Sequence, residues 1–162
     1  MMEGNLTKPR AILVFGAPAS GKTTFCEKFS QKFRAPYYNL TDLADECDFS
    51  RANLMLILQL LTQTGANLII EGGLDTEKER DEIRKLFLKS GYNPSLIWIQ
   101  TDTNTIKARL KQRTKSVSQA KALYDQAIAS MEAPAEVENA IILSGKHTFM
   151  TQLNQVLSQL AR

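Results

Sequence analysis

One short segment near the amino terminus constrains this chain more than any other feature. Residues 16–23 read Gly-Ala-Pro-Ala-Ser-Gly-Lys-Thr, which is the residue spacing of a phosphate-binding loop. An apolar, strand-like run at 11–15 precedes the segment, and a helix-like run begins near Lys22. A glycine-rich turn in this context directs backbone N–H groups at an anion, and the positive end of the helix adds to the attraction. The sequence therefore predicts a site for a nucleoside triphosphate.

The residues of the loop have separate expected roles. Lys22 is expected to reach the outer phosphates of ATP, and the hydroxyl of Thr23 is expected to bind Mg²⁺. The residues predicted to contact the nucleotide are Gly16, Ala17, Pro18, Ala19, Ser20, Gly21, Lys22 and Thr23. The alternative interpretation is a glycine-rich turn that binds nothing, and the strand and helix on either side of the loop argue against it.

Length and composition limit what surrounds the loop. At 162 residues the chain is long enough to bury a core without a disulfide or a structural metal, and we expect a single domain over residues 1–162. Cys26 and Cys47 are far apart, and the chain has one histidine, so a zinc site is not expected. No apolar run reaches the length of a membrane span, and residues 1–10 lack a leader pattern. We expect a cytoplasmic protein without membrane contact.

Five short apolar runs alternate with helix-like stretches along the chain. The predicted strands lie at residues 11–15, 35–40, 67–71, 96–100 and 139–143, and the predicted helices at 22–33, 50–63, 76–89, 104–113 and 149–160. Strands separated by helices form a parallel sheet that the helices cover on both faces. The pattern predicts an α/β fold, with three layers and a five-stranded parallel sheet.

Acidic residues follow two of the predicted strands. Asp42 lies just past the second strand, and Glu71 ends the third. Ligands collect at the carboxyl ends of such strands, where a carboxylate can hold metal-bound water or accept a proton from a hydroxyl group. We predict that Asp42 is the general base, with a share in the metal site, and that Glu71 serves the metal. Three nearby acids, Asp45, Glu46 and Asp48, remain alternatives, as does a purely structural role at a helix N-terminus.

Basic residues concentrate in one stretch of the chain. Residues 103–124 contain six basic residues and no acid, whereas the rest of the chain has more acidic than basic residues. A short positive element fits closure over phosphates better than it fits a nucleic-acid surface. Arg109 and Arg113 share one face of the predicted helix, and two guanidinium groups suit a phosphoryl group in transfer. A solvated helix with ordinary exposed arginines remains the alternative.

Other conspicuous side chains have expected structural roles. Arg80 and Arg84 are expected at the surface, because three acids on the same predicted helix can pair with them. Tyr37 and Tyr38 are strand aromatics, which are more often core residues than ligand platforms. Nothing in the sequence around His147 indicates catalysis.

Four stretches, spread over nearly the whole chain, share their order and composition with a known family. They are 16–23 after 11–15, 69–73, 97–100 with 107–113, and 132–134 before 140–143. In these stretches the chain resembles the small P-loop kinases of the ATPase-like kinase group. That group is similar to shikimate and gluconate kinases, polynucleotide 5′-kinase domains, chloramphenicol phosphotransferase and zeta-type toxins.

The resemblance implies a sheet of strand order 2-3-1-4-5, a short lid at about 112–131, and an adenine pocket beside the loop after the last strand. By position it adds Thr24 to the residues that hold phosphates and Mg²⁺, and it assigns Arg109 and Arg113 to the lid. The residues that it places beside adenine are Ser144, Gly145 and Lys146.

The chain also departs from the family pattern. It has the single acid Asp42 where some members carry Asp-x-Asp, and it has Glu71 where Asp is commoner. Both departures leave the metal geometry open. Residues 42–67 carry no acceptor signature, so the acceptor stays undetermined.

The motifs and the resemblance together predict an ATP-dependent phosphotransferase. Its expected cofactors are ATP and Mg²⁺, and its expected acceptor is a hydroxyl group of a small molecule such as a nucleoside or a sugar. We expect a monomer. Two alternatives stay open: a polynucleotide 5′-hydroxyl kinase, which the acidic remainder of the chain disfavours, and an ATP-dependent switch or toxin-module protein that transfers nothing to a metabolite.

Overall fold

In a computed structural model that describes residues 8–161, five strands form one parallel sheet. The strands are β1 (Arg10–Phe15), β2 (Tyr37–Asn39), β3 (Leu68–Glu71), β4 (Asn93–Gln100) and β5 (Ile141–Ser144), in the order β2-β3-β1-β4-β5. The α/β class and the strand order predicted from the sequence are confirmed. Residues 1–7, where the sequence predicts that no leader pattern is present, lie outside the described residues.

Helices connect the strands and cover both faces of the sheet. Within the described residues they are α1 (Lys22–Phe33), α2 (Leu40–Cys47), α3 (Arg51–Thr62), α4 (Glu77–Lys89), α5 (Thr103–Thr114), α6 (Val117–Ser130) and α7 (Phe149–Leu160), with a 3₁₀ helix at Glu136–Glu138. None of the helices between residues 8 and 161 combines the length and the apolar composition that a bilayer crossing requires.

Strand β1 is the centre of the fold. It pairs with β3 on one side and β4 on the other, and its side chains alternate between two cores. Ile12 and Val14 pack with α1 and α7 on one face, while Leu13 and Phe15 pack with α2, α3 and α4 on the other. A strand buried on both faces needs a continuous apolar sequence, and this burial fixes the position of Gly16 at the carboxyl edge of the sheet.

Strand β4 begins at Asn93 rather than at Leu96, where the apolar pattern begins. The backbone N–H of Asn93 donates to the carbonyl oxygen of Pro9 at 2.8 Å, and Asn93 pairs in register with Arg10. The first residues of the strand are exposed or half-buried. Pairing with β1, rather than burial, therefore makes this segment a strand, and the sequence pattern does not reveal it.

Two helices, α2 and α6, were not predicted from the sequence. Helix α2 begins where the side chain of Asn39 accepts hydrogen bonds from the backbone N–H groups of Thr41 and Asp42, at 3.1 and 3.3 Å. This cap ends β2 at Asn39. Helix α6 covers most of the predicted lid, and Ala120 is its one fully buried residue. A helix with so little buried surface lacks the apolar stripe that marks helices in a sequence.

The expectation that Arg80 lies at the surface is wrong, because its side chain is buried (2 % exposed). Its guanidinium group donates to both carboxylate oxygens of Glu138, at 2.7 and 3.0 Å, and lies 4.7 Å from the ring centre of Phe15. It also donates to the backbone carbonyl oxygens of Leu74, Asp75, Glu132 and Ala133. The acids on the same helix favour a surface position for Arg80, whereas its actual partner, Glu138, lies 58 residues further along the chain. Arg84 is exposed, as expected.

We expect Glu138→Ala to lower the free energy of unfolding by about 3–5 kcal/mol, because it leaves a guanidinium group buried without its counter-charge. The control is Lys85→Ala, which removes an exposed pair with Asp81 on α4 and should cost less than about 0.5 kcal/mol. Urea unfolding of both variants at neutral pH measures the difference. Equal losses would contradict the importance of the buried pair.

The same pair predicts a pH dependence. The hydrogen bonds from Arg80 lower the pKa of Glu138 in the folded protein. The stabilisation by Glu138 is therefore fully present above the ordinary carboxyl pKa of about 4.3 and is lost as the pH falls through the lowered folded value. The difference in unfolding free energy between wild type and Glu138→Ala should shrink over that acidic range.

Candidate functional site

The phosphate-binding loop runs from the end of β1 to the start of α1 in a constrained backbone conformation. Gly16, Ala19 and Gly21 have φ angles of 152°, 60° and 106°. A Cβ atom on Gly16 would lie 2.4 Å from the carbonyl oxygen of Ile99, so glycine is needed where the loop meets the end of β4. Positive φ angles interspersed along such a loop are typical of an anion-binding nest, in which backbone N–H groups face one centre.

Two polar groups of the loop stand to gain from a bound anion. The hydroxyl of Ser20 is fully buried and has no hydrogen-bond partner within residues 8–161. The ammonium group of Lys22 donates to the carbonyl oxygen of Ala17 at 3.0 Å, and burial lowers the pKa of Lys22, although Glu71 opposes the change. A polyphosphate would give the hydroxyl an acceptor and the ammonium a counter-charge. The residues of the loop therefore fit the phosphates of ATP.

Glu71 lies beside the loop at the end of β3 and is buried (3 % exposed). Its carboxylate accepts one hydrogen bond from the Thr23 hydroxyl at 2.9 Å and one from the Tyr37 hydroxyl at 2.5 Å. Burial and the bond to Glu71 raise the pKa of Tyr37, which keeps the phenol protonated as a donor. The ring of Tyr37 packs against the core as predicted, but its hydroxyl group belongs to the site, which sequence reasoning missed.

Thr23 and Glu71 form the part of the site suited to Mg²⁺. Across residues 8–161, no cluster of three or more His, Cys, Asp or Glu side chains is arranged to hold a metal by itself. Mg²⁺ commonly keeps several water ligands and takes others from substrate phosphates, so a single hydroxyl with a carboxylate behind it fits this mode. Both predicted partners are thus adjacent in the structure, next to the loop that fits the phosphates.

A cavity of about 280 Å³ opens on one side of the loop, and we call it the Asp42 hollow. Its polar and charged lining residues are Lys22, Thr23, Asn39, Thr41, Asp42, Glu71, Asp75 and Arg113, and helix α6 adds Ala127 and Met131. Of the three alternative acids, Asp45 and Glu46 lie on α2 and Asp48 follows it, and none of them lines the hollow. Asp42 is therefore the acid of that group that shares a cavity with Lys22.

Asp75 is a further acid of the Asp42 hollow that sequence reasoning missed. Its backbone carbonyl oxygen accepts hydrogen bonds from the N–H of Glu132 at 2.8 Å and from Arg80 at 3.2 Å. Partial burial raises the pKa of Asp75, Glu79 adds to the rise, and Lys22 opposes it. The available signal was an acid shortly after the glycines that follow β3, at the edge of the sheet where ligands collect.

A second cavity of about 280 Å³ lies on the other side of the loop, and we call it the Gly145 hollow. Its lining includes Thr24, Phe25, Arg109, Gly145, His147 and Phe149. Ala19 and Arg113 line both hollows. The structure thus brings the loop, Thr24 and both predicted arginines together around the Gly145 hollow.

The two predicted arginines lie on α5 but make different contacts. The guanidinium group of Arg109 donates to the carbonyl oxygens of Ala19 at 3.0 Å and Gly145 at 3.2 Å. Arg109 therefore ties the phosphate-binding loop to the loop after β5. Arg113 is exposed, at the edge of both hollows, where its charge is available to a ligand.

The three residues predicted beside adenine divide between two surfaces. Gly145 lines the Gly145 hollow, and a Cβ atom there would lie 2.0 Å from the carbonyl oxygen of Ser20. Its glycine therefore permits the contact between the two loops. Ser144 and Lys146 line a neighbouring surface cavity instead, and the ammonium group of Lys146 lies 3.2 Å from the carboxylate of Asp102.

The family model described as an AAA domain matches residues 12–137. No curated protein matches the chain. Among solved structures, an APS kinase from Mycobacterium tuberculosis in complex with AMPPNP and APS has a TM-score of 0.71 at 15% identity, with 96% of this chain and 99% of that chain covered. A sugar kinase from Janibacter sp. has a TM-score of 0.68 at 18% identity, with coverage of 94% and 95%.

A gluconokinase from Sinorhizobium meliloti is similar at a TM-score of 0.67 and 14% identity, with 96% of this chain and 93% of that chain covered. At these identities the likeness is one of fold. It confirms the resemblance to the small P-loop kinases that the motifs indicate.

Backbone strain and desolvation in the loop predict that residues which favour nucleotide binding lower the stability of the free protein. We expect Lys22→Met to leave the melting temperature of the free protein unchanged or raised, because it replaces a desolvated cation with an apolar side chain of similar length. The same variant should lose the rise in melting temperature that ATP with Mg²⁺ gives the wild type. Thermal unfolding with and without nucleotide tests both effects, and Lys28→Met, on the exposed face of α1, is the control. If ATP with Mg²⁺ still raised the melting temperature of Lys22→Met, the proposed role of the loop in nucleotide binding would be wrong.

Proposed function

The chain belongs to the AAA domain family, and from that premise we propose that it transfers the γ-phosphoryl group of ATP to a hydroxyl group of a small molecule. One observation carries the proposal: the phosphate-binding loop separates two hollows, and Ala19 and Arg113 line both. With adenosine in the Gly145 hollow, the triphosphate extends along the loop, and the Asp42 hollow is left for a second reactant. A protein that only bound nucleotide would not need that second hollow.

The solved structures with the same fold support group transfer. They include a sugar kinase and a gluconokinase. The APS kinase among them is described in complex with AMPPNP and APS together, which supports two ligands bound to this fold at once. The acceptor of the present chain is a separate question, because the likeness at these identities concerns the fold.

The donor side of the reaction uses residues of the loop and of α5. The Ser20 hydroxyl and the loop N–H groups donate to phosphate oxygens, and Lys22 exchanges its bond to the Ala17 carbonyl for a bond to an outer phosphate. Arg113 lies where the two hollows meet, so its guanidinium group neutralises charge on the phosphoryl group during transfer. Arg109 acts on the backbone and positions the loop.

The acceptor side is the Asp42 hollow. The acceptor oxygen forms a bond to the γ-phosphorus while the bond from that phosphorus to the β–γ bridging oxygen breaks, and ADP leaves. Asp42 takes the proton of the acceptor hydroxyl. Thr23 and Glu71 would hold Mg²⁺, which would supply positive charge to offset that of the outer phosphates.

The first test of this function asks whether a phosphorylated product forms. The wild-type protein is incubated with a metabolite extract, Mg²⁺ and ATP labelled in its γ-phosphate, and labelled products are identified by mass spectrometry. Asp42→Asn should lower the rate of product formation by about a hundredfold or more with little change in ATP affinity. Asp45→Asn is the matched control, because Asp45 is an exposed acid of the same helix that does not line the hollow, and it should keep the wild-type rate.

Two results would contradict the proposal. Consumption of ATP without any labelled metabolite would favour an ATP-dependent switch instead of a kinase. A normal rate of product formation in Asp42→Asn would show that Asp42 is not the general base.

A separate prediction concerns the metal. We expect Tyr37→Phe to weaken Mg²⁺ binding to the protein–ADP complex by about tenfold, because Glu71 loses one of the two donors that orient its carboxylate. Calorimetric titration with Mg²⁺ measures this without turnover. Tyr38→Phe is the control, since that ring packs on the opposite face of the sheet. Equal Mg²⁺ affinity in the two variants would mean that Tyr37 has a packing role alone.

A further inference from the structure

The charges of the Asp42 hollow constrain what kind of acceptor it can hold. Lys22, Thr23 and Glu71 are assigned to the phosphates and Mg²⁺, and Arg113 to the phosphoryl group. Among the described residues that line the hollow, no cation is then left for the acceptor. Apart from the phosphate-binding loop, the remaining lining consists of the acids Asp42 and Asp75 together with Phe15, Asn39, Thr41, Gly72, Ala127 and Met131.

Two arginines lie near this wall, and both are already neutralised. Arg51 donates to the carbonyl oxygen of Gly73 at 2.8 Å and to the carboxylate of Glu82 at 3.0 and 3.1 Å. Arg80 is held by the two carboxylate oxygens of Glu138. Since neither lines the hollow, neither is available to a carboxylate, sulfate or phosphate on the acceptor.

The backbone segments that carry the two acids of the wall are held in place. Asp42 lies in the first turn of α2, whose N-terminus the Asn39 side chain caps. The backbone of Asp75 is fixed by bonds from Glu132 and Arg80. An anionic acceptor in a cavity of about 280 Å³ would thus lie close to two like charges.

We propose that the acceptor is a small polyhydroxylated compound without an anionic group, and that an ammonium group on it strengthens binding through Asp75. The Asn39 amide and the Thr41 hydroxyl offer hydrogen bonds to neutral hydroxyl groups, and Met131 covers the apolar face of such a compound. This inference rests on the proposed function, because it concerns the acceptor half of the same site. The same charges disfavour a nucleic-acid strand, whose phosphates would meet both acids.

The test separates acceptors by charge before the reaction. A metabolite extract is passed over an anion exchanger at neutral pH. The bound fraction contains the anionic compounds, and the flow-through contains the neutral and cationic ones. Each fraction is incubated with the protein, Mg²⁺ and γ-labelled ATP. Labelled products should come from the flow-through. Products that come from the bound fraction alone would overturn the inference and leave the proposed kinase function intact. Products from neither fraction would overturn the proposed function, and the inference with it.

A variant then tests the role of Asp75 on the acceptor that the flow-through supplies. If the acceptor bears an amine, Asp75→Asn should raise the KM for that acceptor at least tenfold. If the acceptor is neutral, the variant should lower the preference for it over an anionic analogue by a similar factor. In both cases kcat and the KM for ATP should change little. Asp45→Asn, which also removes one charge near the site, should change neither value. Equal effects of the two variants would show that Asp75 acts through the general field of the protein, which contradicts the proposed contact.

Discussion

The buried carboxylate of Glu71 joins three elements of the fold. It ends β3 and accepts hydrogen bonds from Thr23 at the start of α1 and from Tyr37 on β2. A carboxylate that is 3 % exposed must be satisfied by such donors, because an unpaired buried charge costs several kcal/mol. The same bonds that satisfy Glu71 place the Thr23 hydroxyl next to the phosphate-binding loop. The position of the loop relative to the sheet, and with it the geometry of both hollows, therefore depends on this cluster.

The site is prepared on one side and incomplete on the other. Arg109 and the glycines at 16 and 145 fix the loop against β4 and the loop after β5, so little reorganisation is needed before a nucleotide binds. In contrast, Ser20 has a buried hydroxyl without a partner among residues 8–161, and Lys22 is desolvated with a lowered pKa. Such groups lower the stability of the free protein, and a bound anion restores that stability. This is the pattern expected where function and stability compete.

Local patterns predicted the elements that depend on local interactions. The bounds of α1 and α7 match their predictions, and Ser50 and Thr76 cap α3 and α4 at the predicted starts. Helix α2 was missed although its cap by Asn39 is local, and the other errors mostly concern long-range contacts. Strand β4 begins early because of its pairing with β1, and Arg80 is buried because Glu138 meets it from another part of the chain. Asp75 and Tyr37 were missed as site residues for the same reason, since each acquires its position from groups distant in sequence.

The sequence by itself determined the phosphate-binding loop, the α/β class and the acids at the carboxyl edge, because each depends on residue order within one short segment or on alternation of apolar runs. Tertiary structure alone decided which acid of several shares a cavity with Lys22, and it decided that Arg109 contacts backbone while Arg113 lines both hollows. It also decided the charge of the Asp42 hollow. Whether an arginine is available to a ligand depends on which distant carboxylate it contacts. Such contacts form only when the chain folds, so they cannot be read from the order of the residues.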